Sequence, residues 1–202
     1  MVIYNIHCQN PQKRYLDSAA KILRDENGIA VYPTDTVYGM GALVTNPKAV
    51  DKIGKILNKN KELLFSFICS DFTQVAKYVH LSNGNFKLMK RYLPGPFTFI
   101  LEATNLVPKK INPKRKTVGV RIPDCTVTLK LVELLGEPLA NASINLPEEN
   151  RGDPELIRPA ILNEVDVMLD AGVLEDTIGS TIIDLTGEEP VVIRQGKGIW
   201  KE

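Results

Sequence analysis

Short apolar runs alternate along this chain with longer stretches in which apolar residues recur every three or four positions, the pattern of strands interleaved with helices. Val2–Ile6 reads as a short strand. From Pro11 to about Asn27 the spacing predicts a helix, with Gly28 as the C′ residue that ends it. Ile29–Tyr32 is apolar throughout, as a buried strand requires. Asn46 then caps a helix with Pro47 in its first position and Val50, Ile53 and Leu57 on its apolar side. Leu63–Cys69 predicts a strand, Ser70 or Asp71 opens a short helix towards Val79, and Phe86–Leu93 reads as a helix stopped by Pro94-Gly95-Pro96. Strands at Phe97–Leu101 and Val118–Ile122 lead to a helix at Thr126–Leu135, closed by Gly136. A helix over Pro154–Val165 and strands at Val167–Leu169, Thr181–Leu185 and Val191–Ile193 complete the set. With no internal repeat and no low-complexity break, the alternation predicts one α/β domain over residues 1–202, built on a mixed parallel and antiparallel sheet.

Composition agrees and removes several classes. The 202 residues are 44% hydrophobic and 24% charged, a globular balance rather than a disordered one. No apolar run reaches the ~18 residues of a membrane span, and the first residues lack a signal-peptide pattern. Cys8, Cys69 and Cys125 are odd in number and widely spaced, with no CxxC pair, so no disulfide framework or metal site is expected and a cytoplasmic location is. His7 and His80 have no metal-ligand partners in the sequence. The net charge of +1 conceals a split: Lys48 to Arg121 holds fifteen Lys/Arg against four acids, and Glu133 to Glu189 holds fourteen acids against Arg151 and Arg158. A basic face that attracts polyanions is one reading; two solvated faces attracting each other is the other.

Neither a GxxxxGK[ST] loop nor GxGxxG after a strand is present, nor GxSxG or HExxH. What recurs instead is a polar group wherever a strand ends. Thr34, Asp35, Thr36 and Tyr38 follow the second strand, Arg121 ends VGVR, Ser143 and Asn145 end PLANASIN, Ser180 opens STIIDLT and Arg194 ends VVIR. Ligands gather at strand ends in open α/β sheets, and Arg, Ser and Asn hold phosphate without a P-loop. Each residue also has a plain structural account as turn former, cap or surface ion pair.

Taken together, YPTDTVYGMG (32–41), LPGPFTFIL (93–101), VGVRIPD (118–124), SIN (143–145), DAG (170–172), STIIDLT (180–186) and VIRQGKG (192–198) resemble the YrdC/YciO family. The resemblance implies a twisted mixed sheet flanked by helices around a large basic cavity. It also implies threonylcarbamoyl-adenylate synthesis for the threonylcarbamoyladenosine modification of tRNA, from L-threonine, bicarbonate and ATP, with Mg²⁺ carried on the substrate and pyrophosphate released. By position, Thr34, Tyr38 and Arg121 are expected to contact threonine. Ser143, Asn145, Ser180 and Arg194 are expected to hold ATP, with Gly39 and Gly41 allowing close backbone approach. No resident metal is implied.

The chain departs from the family at one place. The synthases carry Lys-x-Arg after the helix that follows PTDT and then Lys-Pro-Leu, whereas KILNKNKELL (55–64) stands here. An ungapped helix puts Leu57 at the family's Lys and Lys59 at its Arg, with Lys61 at the Lys of Lys-Pro-Leu; anchoring on Lys61 puts Lys55 and Leu57 there instead. Either way a leucine replaces one cation, as in the YciO branch, and Lys59 and Lys61 are the expected catalytic cations. Ser143-Ile144-Asn145 also continues into Leu146-Pro147 rather than a small Ser-Gly pair. Lys48, Lys52, Lys55 and Lys59 share a helix side, and Lys109, Lys110, Lys114, Arg115 and Lys116 form a basic loop without aromatic residues, suited to the backbone of folded RNA. Two classes of function follow: a threonylcarbamoyl-AMP synthase, or a non-synthase protein that binds nucleotide, tRNA or double-stranded RNA.

Overall fold

The computed structural model describes residues 1–57, 65–108, 111, 116–175 and 177–201. Ten strands form one sheet: β1 (Val2–Asn5), β2 (Ala30–Tyr32), β3 (Gly39–Leu43), β4 (Ser66–Ile68), β5 (Phe97–Glu102), β6 (Thr117–Arg121), β7 (Leu139–Ser143), β8 (Val167–Asp170), β9 (Thr181–Asp184) and β10 (Val191–Arg194). Six helices accompany them among the described residues: α1 (Lys13–Asp25), α2 (Pro47–Ile56), α3 (Phe72–Tyr78), α4 (Asn83–Met89), α5 (Thr126–Leu135) and α6 (Pro154–Ile161). Strand order is β1-β8-β2-β3-β7-β4-β6-β5-β9-β10, a twisted, open sheet with β1 and β10 at its edges. β8 pairs in parallel with β1 and β2, β6 with β4, and β9 with β5; the remaining neighbours are antiparallel. The expected mixed α/β sheet is therefore what the chain forms.

The period-two alternation of a strand sorts its side chains between two cores. Ala30 and Tyr32 of β2 pack with Leu16, Ala19 and Leu23 of α1 and with Val127, Leu131 and Val132 of α5. Val31, between them, packs on the other face with Val50 and Ile53 of α2 and Ile157 and Ile161 of α6. The middle strands are buried on both faces, which is why β2 and β8 read as unbroken apolar runs. Leu23 is fully buried, so truncating it to alanine costs about 2–5 kcal/mol.

The caps account for several boundaries. Asn46 accepts from Ala49 N–H at the start of α2, Asp71 from Gln74 N–H at α3, and Ser82 from Asn85 N–H at α4. The Ser82 cap starts α4 three residues before the Phe86 suggested by its apolar spacing. Gly136 adopts φ 73° and closes α5 as expected. At the end of α1 the left-handed residue is Asn27 (φ 54°), not Gly28. Gly28 N–H instead closes onto Ile22 O at 3.0 Å, where a Cβ would meet Ile22 Cγ2 at 2.6 Å. α6 stops at Ile161, short of Val165. The two strands the periodicity did not reveal are β3 and β7: GMGAL and LANAS lack β-branched residues, and they form because each is flanked on both sides, β3 by β2 and β7, and β7 by β3 and β4.

Candidate functional site

The turn between β2 and β3 is built from its own hydroxyls. Thr34 Oγ1 donates to Val37 O at 2.6 Å, accepts from Thr36 N–H at 3.1 Å and lies 2.9 Å from Thr36 Oγ1. Arg121, the last residue of β6, reaches in with Nη1 to Thr36 Oγ1 at 3.0 Å and Nη2 to Asp35 Oδ1 at 2.5 Å. The far side of the turn rests on α5, where Thr128 Oγ1 donates to Pro33 O at 2.5 Å and Cys125 Sγ lies 3.4 Å from the same oxygen. A polar network this enclosed holds one geometry. Two of its atoms, Arg121 Nε and Asp35 Oδ2, are buried with no hydrogen-bond partner among the described residues.

Beside the turn opens a cavity of about 170 Å³, large enough on the order of ten waters and so for a small organic ligand. Its floor is a row of in-register neighbours across the sheet. Asn141 of β7 opposes Ser66 of β4, which opposes Gly119 of β6, which opposes Ile100 of β5. Small residues in the middle of the sheet make the depression. A Cβ at Gly119 would lie 3.1 Å from Thr98 Cγ2 and 3.5 Å from Ser66 Cβ. Asn141 Oδ1 accepts from Tyr32 Oη at 2.8 Å. Gly39 and Gly41 accommodate that pair: their Cβ atoms would stand 2.3 Å from Asn141 Oδ1 and 2.6 Å from Tyr32 Oη. Their room serves side chains of the floor, and both lie in β3 rather than in the turn.

The expected residues converge only in part. Thr34, Tyr38 and Arg121 line the cavity, as do Ser143, which pairs across the sheet with Gly39, and Ser180 and Arg194. Asn145 is exposed and lies outside that lining. Tyr38 Oη is already engaged, donating to Gly172 O at 2.7 Å and accepting from Ala171 N–H at 2.9 Å, so DAG (170–172) braces the tyrosine and its contribution to the cavity is shape. Burial also pushes the Tyr38 phenol well above its usual pKa. Lys59 and Lys61, expected as catalytic cations, lie outside the described residues, as do Lys109, Lys110, Lys114 and Arg115 of the basic loop. Leu57 is 2% exposed and packs in the core beside Ile53. A leucine that faces the core points no group at a phosphate, whichever register applies.

The wall at Ser180 and Arg194 is cationic. Arg194 donates from Nη2 to Ser180 O at 2.7 Å, and Ser180 Oγ lies 2.8 Å from Thr98 Oγ1. Burial lowers the Arg194 pKa, and the positive charges of Arg151 and Arg121 lower it further. Arg151 is a residue that sequence reasoning missed, since it stands alone among acids in EENRGD. Its carbonyl accepts from Tyr38 N–H at 3.1 Å, which brings its loop against the turn. Thr98 and Asn141 were also missed, because mid-strand polar residues give no local signal. Guanidinium groups that repel one another beside a cavity fit an anionic ligand. No group of three or more His, Cys, Asp or Glu able to hold a metal occurs among the described residues.

A family model for the Sua5/YciO/YrdC domain, described as telomere recombination, matches residues 22–196. The chain belongs to this family. An uncharacterized protein of Haemophilus influenzae is 38% identical over 96% of this chain and 95% of its own length. The crystal structure of Escherichia coli YciO matches with a TM-score of 0.91 and 36% identity, covering 98% of each chain. The crystal structure of Pyrococcus abyssi Sua5 complexed with L-threonine matches with a TM-score of 0.90 and 28% identity, over 97% of this chain and 58% of that one. The P. abyssi threonylcarbamoyl-AMP synthase sequence is 30% identical over 88% of this chain and 53% of its own length. Among the described residues no helix is long and apolar enough to cross a membrane.

Proposed function

We propose that the cavity takes an L-threonine-derived substrate at Arg121 and ATP, with its Mg²⁺, along Ser143, Ser180 and Arg194, and that the protein forms threonylcarbamoyl-AMP. The observation that carries this reading is the buried Arg121 guanidinium, which lines the cavity and whose Nε has no hydrogen-bond partner among the described residues. A carboxylate is the complement of such a fork. The likeness to a Sua5 complexed with L-threonine supports it. In the proposed reaction the threonine amine and bicarbonate give a carbamate with loss of water. A carbamate oxygen then attacks the α-phosphorus of ATP, the bond to the β-phosphate oxygen breaks, and pyrophosphate leaves. Such a displacement asks for alignment and charge neutralisation rather than a protein nucleophile. Arg194 and Ser180 lie where they can neutralise and orient the phosphates, and each donor of that kind is worth on the order of 10²–10³ in rate.

The test is pyrophosphate release from ATP by the purified protein with Mg²⁺ and bicarbonate, with and without L-threonine. Threonine-dependent release is expected; threonine-independent or absent release overturns the reading. A second reading, nucleotide binding without adenylate formation, is favoured by Leu57, a core leucine where the synthases carry a cation. It predicts ATP binding with no threonine dependence. An RNA partner would draw on the basic loop, of which Lys116 is within the described residues.

A further inference from the structure

The tail after β10 lies on the sheet with very little clearance. Lys197 N–H donates to Gly179 O at 2.9 Å, Gly196 N–H donates to Thr181 Oγ1 at 2.9 Å, and that hydroxyl donates to Gly198 O at 2.6 Å. A Cβ at Gly196 would stand 2.2 Å from Gly179 O, and one at Gly198 would stand 2.5 Å from the Phe97 ring. The two glycines flanking Lys197 therefore let the backbone press down on both sides of it. Thus pinned, Lys197 sends Nζ to the turn after β2, where it donates to Asp35 O at 2.7 Å. Asp35 is the residue whose carboxylate holds Arg121.

We propose that Lys197 is a positioning residue: by holding the Asp35 peptide it fixes the carboxylate that aims the Arg121 guanidinium into the cavity, and so tunes that site for a carboxylate ligand. An ammonium on a carbonyl is a charge-assisted bond, stronger than a neutral one. It spans 162 residues of sequence, joining the tail after β10 to the turn after β2. Arg121 Nε and Asp35 Oδ2 have no hydrogen-bond partner among the described residues, so the aim of the pair depends on the Nη1 contact with Thr36 and the Nη2 contact with Asp35 Oδ1. Loss of positive charge alone would weaken every anionic ligand. Loss of aim weakens the one that meets Arg121. The inference rests on the reading above in that it takes this ligand to be the amino acid.

Two measurements on the full chain, comparing wild type with Lys197→Met and Lys197→Arg, decide it. The first needs no ligand: phenylglyoxal modification of Arg121, mapped by mass spectrometry. It should run severalfold faster in Lys197→Met and return towards wild type in Lys197→Arg. An unchanged Arg121 rate in Lys197→Met overturns the proposal. The second is calorimetric binding. Lys197→Met should weaken L-threonine about tenfold, the worth of one charge-assisted hydrogen bond, while ATP binding changes less than twofold. Equal loss for both ligands overturns positioning in favour of a general electrostatic role. Should the wild type take up no threonine, the proposed function fails, and the phenylglyoxal rates still decide whether Lys197 governs Arg121.

Discussion

Arg121 Nη2 lies 2.5 Å from Oδ1 of Asp35, 86 residues earlier in the chain, and the two side chains are only 7% and 10% exposed. A pair so deeply placed behaves asymmetrically, because removing one partner strands the other's charge away from water. Arg121→Ala should therefore destabilise the fold by about 3–5 kcal/mol, whereas Arg121→Ala combined with Asp35→Ala should recover part of that loss. Urea unfolding of the two single variants and the double variant measures the coupling. At the site, Arg121→Lys keeps a charge but loses the fork; it should abolish threonine-dependent effects while ATP binding largely survives, and parallel loss of both would contradict the division of roles.

Restoring a cation at position 57 should not rescue activity. The Leu57 side chain sits in the core at the end of α2. Leu57→Lys would bury an unpaired ammonium or force it out through packed side chains, at a cost of several kcal/mol. The expected result is a lower melting temperature with no gain in pyrophosphate release. A gain without loss of stability would mean that the end of α2 rearranges.

Gly39→Ala tests the floor of the cavity. The added methyl would stand 2.3 Å from Asn141 Oδ1, the atom that accepts from Tyr32 Oη. We expect a loss of about 1–3 kcal/mol, typical of overpacking, together with weaker ligand binding. Thermal unfolding and calorimetry check the two parts, and Gly54→Ala, where a Cβ meets nothing within 4 Å, is the control.

Alkaline pH should unfold the protein through groups that burial keeps protonated. Burial raises the pKa of Cys69 above its ordinary 9.0 and those of Tyr32 and Tyr38 above 10.0. In the unfolded chain these groups release their protons near the ordinary values, while the folded chain retains them. The unfolded state then binds fewer protons, so stability is fully present below about pH 9 and falls as pH rises. Each group contributes at most about 1.4 kcal/mol per pH unit. Urea midpoints at pH 7, 9, 10 and 11 should decline beyond pH 9; a flat profile would show that these side chains reach water when folded.

Much of the fold was legible because its signals are local. Asn46-Pro47 announces α2, Gly136 closes α5, and the apolar runs of β2 and β8 are strands that only a two-sided core would accept. β3 and β7 were not legible, since neither Gly39-Met40-Gly41 nor Ala140-Asn141-Ala142 carries a strand preference of its own. The site divides in the same way. Thr34, Arg121, Ser180 and Arg194 flank strand ends and stood out, whereas Thr98, Asn141 and Arg151 gave no local sign. Asn145 stood out by its motif, yet it lies exposed beyond the cavity lining.

By itself the sequence determined the order and type of most elements, the family, and the hydroxyl-rich turn, because caps, periodicity and short motifs act over a few residues. The tertiary structure alone decided which residues share the cavity. The row Asn141, Ser66, Gly119 and Ile100 exists only through strand register. The contact of Lys197 with Asp35 and that of Asp35 with Arg121 exist only because distant segments of the chain meet. Hydrogen bonds act over about 3 Å, and no spacing along the chain reports which residues folding will bring that close.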